Sequence, residues 1–117
     1  GTHGSTFGGS PIAAASANAT IEVIESESML ANNQEKGKRI KVSLARIPAV
    51  KEVRGEGLLL GCVLNETHAK DVVSAMQRKG FLLNAPSPDV IRIAPAYVVS
   101  DSQISEFLAA MQEVLQR

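Results

Sequence analysis

A mixed apolar and charged run and a following apolar run, separated by a short glycine-rich turn, constrain the fold of this 117-residue chain more than any other feature. The stretch 49–64 is AVKEVRGEGLLLGCVL, in which Gly55 and Gly57 flank Glu56 between the two runs. Glycine tolerates the backbone angles that a tight turn between neighbouring strands requires. The stretch therefore predicts two short strands joined at 55–57, with 58–64 as a buried strand.

Two helices are predicted before these strands. Pro11 suits the first turn of a helix and is followed by the alanine-rich stretch IAAASANATIEVIES. The second helix is predicted over SESMLANNQEKGKRIKVSLARI and ends before Pro48. Its apolar face consists of residues at helical spacing, namely Leu30, Gly37, Ile40, Leu44 and Ile47.

Two more helices are predicted after the strands. The stretch ETHAKDVVSAMQRKG predicts a third helix, with Thr67 or Asn65 as its cap and Gly80 as its stop. Ser100 and Gln103 have the spacing of a capping box and mark the start of the last helix. An apolar stripe follows them, formed by Ile104, Phe107, Leu108, Met111, Val114 and Leu115.

The region between the third and fourth helices predicts two further strands. The stretch FLLN is a short strand, APSPD is a turn-rich connector, and VIRIAPAYVV is a strand that Pro95 interrupts or ends. The order is then helix, helix, strand, strand, helix, strand, strand, helix. Neighbouring strands joined by a tight turn favour an α+β fold, with a small antiparallel sheet backed by helices.

Composition narrows the class of protein. The chain has 12 basic and 12 acidic side chains and only 3% aromatic residues. This balance gives no electrostatic footprint for nucleic acid or an anionic membrane, and few rings for base stacking. Cys62 is the single cysteine, which excludes an internal disulfide. No stretch has the ~20 apolar residues of a membrane span or the pattern of a signal peptide. A cytoplasmic protein is the expectation.

Three patterns resemble sites only superficially. The glycines of GEGLLLG precede a strand, whereas a dinucleotide fingerprint follows a strand and opens a helix. Cys62 lies within the apolar run LLLGCVL and predicts a small buried hydrophobe, while His68 fits a solvated helix start. His3 and His68 are far apart in sequence and do not form a metal-ligand set with one cysteine.

The glycine-rich stretch GTHGSTFGGSP at 1–11 has the composition of a ligand-binding loop. Its glycines permit close approach of the backbone, and the hydroxyls of Ser5 and Thr6 suit phosphate or carboxylate oxygens. His3 with Ser5 does not indicate a hydrolase, because HGSTFGG lacks the G-x-S-x-G pattern. An anion-binding loop and a flexible terminal loop both fit these residues.

Arg92 is the other residue that stands out, because it is a charge within the apolar strand VIRIAP. An arginine on an edge strand that reaches solvent explains the pattern. The functional alternative, which the pattern alone favours less, is a guanidinium held on rigid backbone to bind a carboxylate.

Taken together, these stretches resemble the C-terminal part of the class III aminotransferases. The likeness rests on HGSTFGGSP before an alanine-rich helix, then VRGEGLLLG, then LLNAPSPDVIRIAP and an amphipathic last helix, and it spans the whole chain. The segment 84–92 is similar to members of the family that act on N-acetylornithine. The resemblance implies the C-terminal small domain of a fold-type I transferase, with 1–26 as the end of the large cofactor domain and 27–117 as the small domain.

The resemblance also implies an activity and roles for three residues. Such enzymes are homodimers that bind pyridoxal 5'-phosphate on a lysine and move an amino group from N-acetylornithine to 2-oxoglutarate, in arginine biosynthesis. By resemblance, Thr6 binds the cofactor phosphate of the neighbouring subunit and Ser5 contacts the amino-acid substrate. Arg92 is expected to hold the α-carboxylate of the substrate.

The chain departs from the family pattern in three respects. Ser10 stands where relatives usually carry Asn, and Ala96 where they usually carry a second Pro. The lysine that anchors the cofactor lies upstream of the matching region in the family, so the chain holds no catalytic residue. We therefore expect a C-terminal fragment that is inactive alone. The alternative is a non-enzymatic α+β module for small-molecule binding or oligomerisation.

Overall fold

The computed structural model describes residues 9–116 and divides the chain, between Leu30 and Ala31, into two units. The first unit contains helix α1, Pro11–Ser26, as the sequence predicts. The Ser10 hydroxyl caps α1 by accepting a hydrogen bond from the Ala13 N–H at 3.2 Å. No residue of α1 is buried, and Ile12 is 82% exposed.

The second unit is the α+β fold that the sequence predicts. Its elements are α2 (Met29–Ala45, which begins just before the division), β1 (Val50–Glu56), β2 (Leu59–Leu64), α3 (Ala69–Arg78), β3 (Asn84–Ser87), β4 (Val90–Ile93) and α4 (Asp101–Leu115). The four strands form one sheet in the order β1-β2-β4-β3, and each neighbouring pair is antiparallel. Strands β1 and β2 form the predicted hairpin, but its turn lies at Gly57 and Leu58 and not at 55–57, because Gly55 and Glu56 still pair with β2.

The core of this unit lies on one face of the sheet. Strand residues alternate between faces, so β2 and β4 each contribute every second side chain to it. Helices α2, α3 and α4 supply the other side chains of this core. The fully buried side chains include Leu64, Ile91, Ile40, Leu44, Met76, Ile104 and Met111. Leu30, which the sequence placed on the apolar face of α2, is 62% exposed.

The capping box of α4 is confirmed. Ser100 Oγ accepts from the Gln103 N–H at 3.1 Å, and Gln103 Oε1 accepts from the Ser100 N–H at 2.9 Å. The predicted N-caps of α3 are wrong, whereas Gly80 follows the C-cap Lys79 with a φ of 94° and ends the helix as predicted. The N-cap is His68, with no side-chain hydrogen bond, and Asn65 Nδ2 instead donates to the Pro48 carbonyl at 2.8 Å.

The third strand also begins later than predicted. FLLN is not a strand, and β3 lies mostly in the stretch predicted as a connector. Phe81 packs against the core, with its ring centroid 5.7 Å from that of Phe107, so tertiary contacts decide its conformation. Because β3 is an edge strand, the missing N–H of Pro86 need not disrupt a ladder.

Helix α2 packs closely against the β1–β2 turn, with Gly37 of the helix next to Gly57 of the turn. A Cβ atom added at Gly37 would lie 1.8 Å from the Gly57 carbonyl oxygen, so no side chain fits there. Lys41 Nζ donates to the Gly55 carbonyl at 3.1 Å and ties the same helix to the turn. Gly55 and Gly57 have φ angles of 108° and 57°, which favour glycine.

Replacing Gly37 by alanine is expected to destabilise the fold by about 2 kcal/mol or more, because the helix and turn must separate. Urea denaturation of the wild-type chain and the Gly37→Ala variant measures the difference. Gly61→Ala is the matched control, since an added Cβ there meets only Val90 Cγ1 at an ordinary 3.7 Å. A Gly37→Ala chain that is more stable than the wild type, as helix propensity alone predicts, would contradict the tight approach.

Candidate functional site

The face of the sheet opposite the core carries a row of four paired residues, one from each strand, of which three are polar. Arg54 on β1 pairs with Gly61 on β2, Gly61 pairs with Arg92 on β4, and Arg92 pairs with Asn84 on β3. We call these four residues the arginine row. Their chain neighbours on β2 and β4, such as Cys62 and Ile91, belong to the core, so strand alternation places the row on the other face.

Arg92 lies between two core residues of β4. It is exposed, while Ile91 and Ile93 on either side are 0% and 3% exposed. Its guanidinium has no hydrogen-bond or ion-pair partner among residues 9–116. The structure thus presents an unpaired, permanently charged guanidinium on β4, which is a central strand of the sheet. The alternative of an arginine that merely reaches solvent assumed an edge strand.

Arg54, at the β1 end of the row, is in a different state. Its Nε and Nη2 atoms lie 2.7 Å and 2.6 Å from Glu52 Oε1, so a carboxylate on the same strand already occupies the guanidinium. Sequence analysis did not single out this pair. The signal was the i, i+2 spacing of two opposite charges on a strand, which puts both side chains on one face.

Gly61, which lies between the two arginines in the row, contributes no side chain to this face. A Cβ atom at this position would make only an ordinary contact, 3.7 Å from Val90 Cγ1, so packing within the described chain does not require glycine. The missing side chain therefore widens the space beside Arg92.

Asn84 closes the row at the edge strand. It is exposed, and its side chain makes no hydrogen bond within the described residues. The pairing of β3 with β4 is irregular between Asn84 and Ser87, so three steps along β3 match two steps along β4. This bulge keeps Asn84 opposite Arg92 on the open face. Sequence analysis placed Asn84 at the end of a strand but did not bring it to Arg92.

Helix α2 secures the segment that follows Arg92. Lys36 Nζ donates to the Val99 carbonyl, and Arg39 donates from Nη1 to the Asp101 carbonyl at 3.2 Å. Arg39 Nη2 also donates to the Ser105 hydroxyl. These contacts join α2 to the start of α4, and so fix the loop that leaves β4.

The structure does not describe the other two predicted site residues. Ser5 and Thr6 lie outside the described residues, and their expected contacts stay predictions. The lysines of 9–116 are all at least partly exposed, and three of them bind oxygens of the fold: Lys36, Lys41 and Lys79. The described part of the chain therefore offers a carboxylate-binding group but no buried lysine suited to anchoring a cofactor aldehyde.

Cys62 is a core residue, as the sequence predicts. It is 0% exposed, and burial raises the pKa of its thiol to about 11. The thiol is therefore protonated at neutral pH and is a poor nucleophile. His68 lies at the start of α3 with Nδ1 3.8 Å from Glu66 Oε2, on the surface. These two residues do not form a nucleophile and base.

A groove on the described surface does not coincide with the arginine row. It has a volume of about 420 Å³ and opens between Phe81, Ile93, Pro95 and Phe107 at the α4 side of the sheet. Its walls are mainly apolar, and they do not include Arg92. We assign the chemistry to the arginine row, because the unpaired Arg92 guanidinium suits an anion.

Within 9–116, no three His, Cys, Asp or Glu residues are grouped so that they could hold a metal ion. Among the helices described, none is both long and apolar enough to cross a membrane.

The chain matches known proteins over its whole length. The family model of class III aminotransferases matches residues 1–115. The chain is 40% identical to the acetylornithine aminotransferase of Mycobacterium tuberculosis, over 100% of this chain and 30% of that protein. It is 41% identical to the acetylornithine aminotransferase of Corynebacterium efficiens, over 98% of this chain and 28% of that protein. The chain thus spans about a third or less of these relatives.

Solved structures show the same fold. The acetylornithine aminotransferase of Elizabethkingia anophelis superposes with a TM-score of 0.88 at 27% identity, covering 99% of this chain and 32% of that one. The ornithine aminotransferase of Toxoplasma gondii gives a TM-score of 0.86 at 29% identity, covering 99% of this chain and 29% of that one.

Proposed function

The chain belongs to the class III aminotransferase family, and we propose that it is the C-terminal part of an enzyme that moves an amino group from N-acetylornithine to 2-oxoglutarate. The parent enzyme of the family depends on pyridoxal 5'-phosphate. One structural observation carries the role of this chain: the unpaired Arg92 guanidinium on the open face of the sheet. Family membership favours an enzyme over the alternative of a binding or oligomerisation module.

We assign to this chain the task of holding the substrate. Arg92 would bind the α-carboxylate through two parallel N–H···O hydrogen bonds, which fix both the position and the plane of that group. Fixing the carboxylate orients the bond to the amino group relative to the reacting centre, and orientation contributes a large share of the rate. Pyridoxal phosphate, when bound, supplies the electron sink for the bonds that break.

Two residues outside the described range complete the proposal. Thr6 would donate its hydroxyl hydrogen bond to the cofactor phosphate of a neighbouring subunit, and Ser5 would contact the amino-acid substrate. This arrangement requires a homodimer. We further propose that the enzyme acts in the cytoplasm, in arginine biosynthesis, and that 1–26 and 27–117 belong to its large and small domains.

Replacing Arg92 by alanine in the complete enzyme is expected to raise KM for the amino and keto acids by roughly 100-fold, because two charge-assisted hydrogen bonds are lost. Steady-state kinetics with each substrate measures this change. Arg78→Ala removes an exposed arginine from α3, which packs on the opposite face of the sheet, and is the matched control. Unchanged KM values in Arg92→Ala would show that the carboxylate binds elsewhere.

The 117-residue chain alone is expected to lack transaminase activity, because it offers no buried lysine within 9–116 to anchor the cofactor. Mixing it with pyridoxal phosphate should leave the absorbance spectrum as the sum of the two components. A stoichiometric new band together with turnover would overturn the assignment of the chain as a substrate-holding part.

A further inference from the structure

We propose that Asn84 is a second substrate-binding residue, which donates a hydrogen bond from Nδ2 to the carboxylate held by Arg92. The inference rests on the proposed function, since it names a further ligand of the same carboxylate. It starts from the register of the sheet, in which Asn84 and Arg92 are direct cross-strand partners.

Asn84 lies close enough to reach a carboxylate that Arg92 holds. Side chains of direct cross-strand partners have Cβ atoms about 4.5–5.5 Å apart and project from the same face. A carboxylate bound end-on by the Arg92 fork would lie above this face, flanked by Asn84 on β3 and by the side-chain-free Gly61 on β2. Asn84 is thus the one member of the arginine row that borders the carboxylate with a free polar group.

The hydrogen-bonding capacity of the carboxylate leaves room for Asn84. A carboxylate has about four lone-pair positions, and a bidentate guanidinium uses two of them. The carboxamide of Asn84 makes no hydrogen bond within the described residues and carries two N–H donors. It can therefore fill a position on the carboxylate that Arg92 leaves open.

The charge of the neighbouring side chain also matters, and the two arginines of the row differ in this respect. Arg54, at the other end of the row, has a carboxylate beside it, and Glu52 Oε1 occupies its guanidinium at 2.6 Å. Arg92 has a neutral carboxamide beside it and stays unpaired. A neutral neighbour leaves the guanidinium available to an incoming carboxylate, whereas an acidic neighbour would compete with it.

The test uses the complete cofactor-loaded enzyme with Asn84→Ala and Asn84→Asp. Loss of one hydrogen bond to a charged group should raise KM for the amino and keto acids by about 10-fold in Asn84→Ala. Asn84→Asp should raise it by roughly 100-fold or more, because the new carboxylate pairs with Arg92 as Glu52 pairs with Arg54. In both variants kcat at saturation should stay within about 3-fold of the wild type.

Two readouts separate a binding role from a structural one. Calorimetric titration with glutarate, a carboxylate that cannot react, should show the same order of weakening as KM. Turnover of the amine that lacks the α-carboxylate should be equal in wild type and Asn84→Ala. Gln77→Glu makes the same amide-to-carboxylate change on α3, behind the sheet, and should leave every value unchanged.

The double variant distinguishes failure of this inference from failure of the proposed function. If both residues hold one carboxylate, Arg92→Ala with Asn84→Ala should be little worse than Arg92→Ala alone. Wild-type glutarate affinity in Asn84→Ala, with weakened affinity in Arg92→Ala, would overturn the inference and leave the Arg92 site standing. Wild-type affinity in both variants would overturn the two together.

Discussion

The packing of three helices on one face of the four-stranded sheet is the constraint from which the rest of the structure follows. Helices α2, α3 and α4 cover one face, so the alternation of side chains along β2 and β4 commits Leu60, Cys62, Ile91 and Ile93 to the core. The residues between them must then project from the other face. Arg92 is in that position because its neighbours Ile91 and Ile93 are buried.

The packing that supports this sheet is tight at one end and polar at the other. At the β1–β2 turn, Gly37 lies against Gly57 with no room for a side chain, which sets how closely α2 approaches. At the exit from β4, Lys36 and Arg39 of α2 bind the Val99 carbonyl and the start of α4. One helix therefore holds both the hairpin and the loop after the arginine, so the position of Arg92 depends on contacts far from it in sequence.

Local signals in the sequence predicted the helices and strands, but they did not predict which residues pair across neighbouring strands. The capping box at Ser100, the proline at the start of α1 and the buried Cys62 all depend on neighbours within a few residues. The late start of β3 was missed because Phe81 takes its conformation from contact with Phe107, which is distant in sequence. The partnership of Asn84 with Arg92 was missed for the same reason, since a bulge in an edge strand sets the register. The aminotransferase family, by contrast, was recognisable from the order of its motifs.

The central claim is that the open face of this sheet holds the substrate carboxylate in an acetylornithine-type aminotransferase. A crystal structure of the complete enzyme with bound 2-oxoglutarate or N-acetylornithine tests it most directly. We expect both oxygens of one substrate carboxylate within about 2.7–3.2 Å of the Arg92 guanidinium, above Gly61. A bound substrate whose carboxylates contact only other residues, with Arg92 facing solvent, would contradict the account.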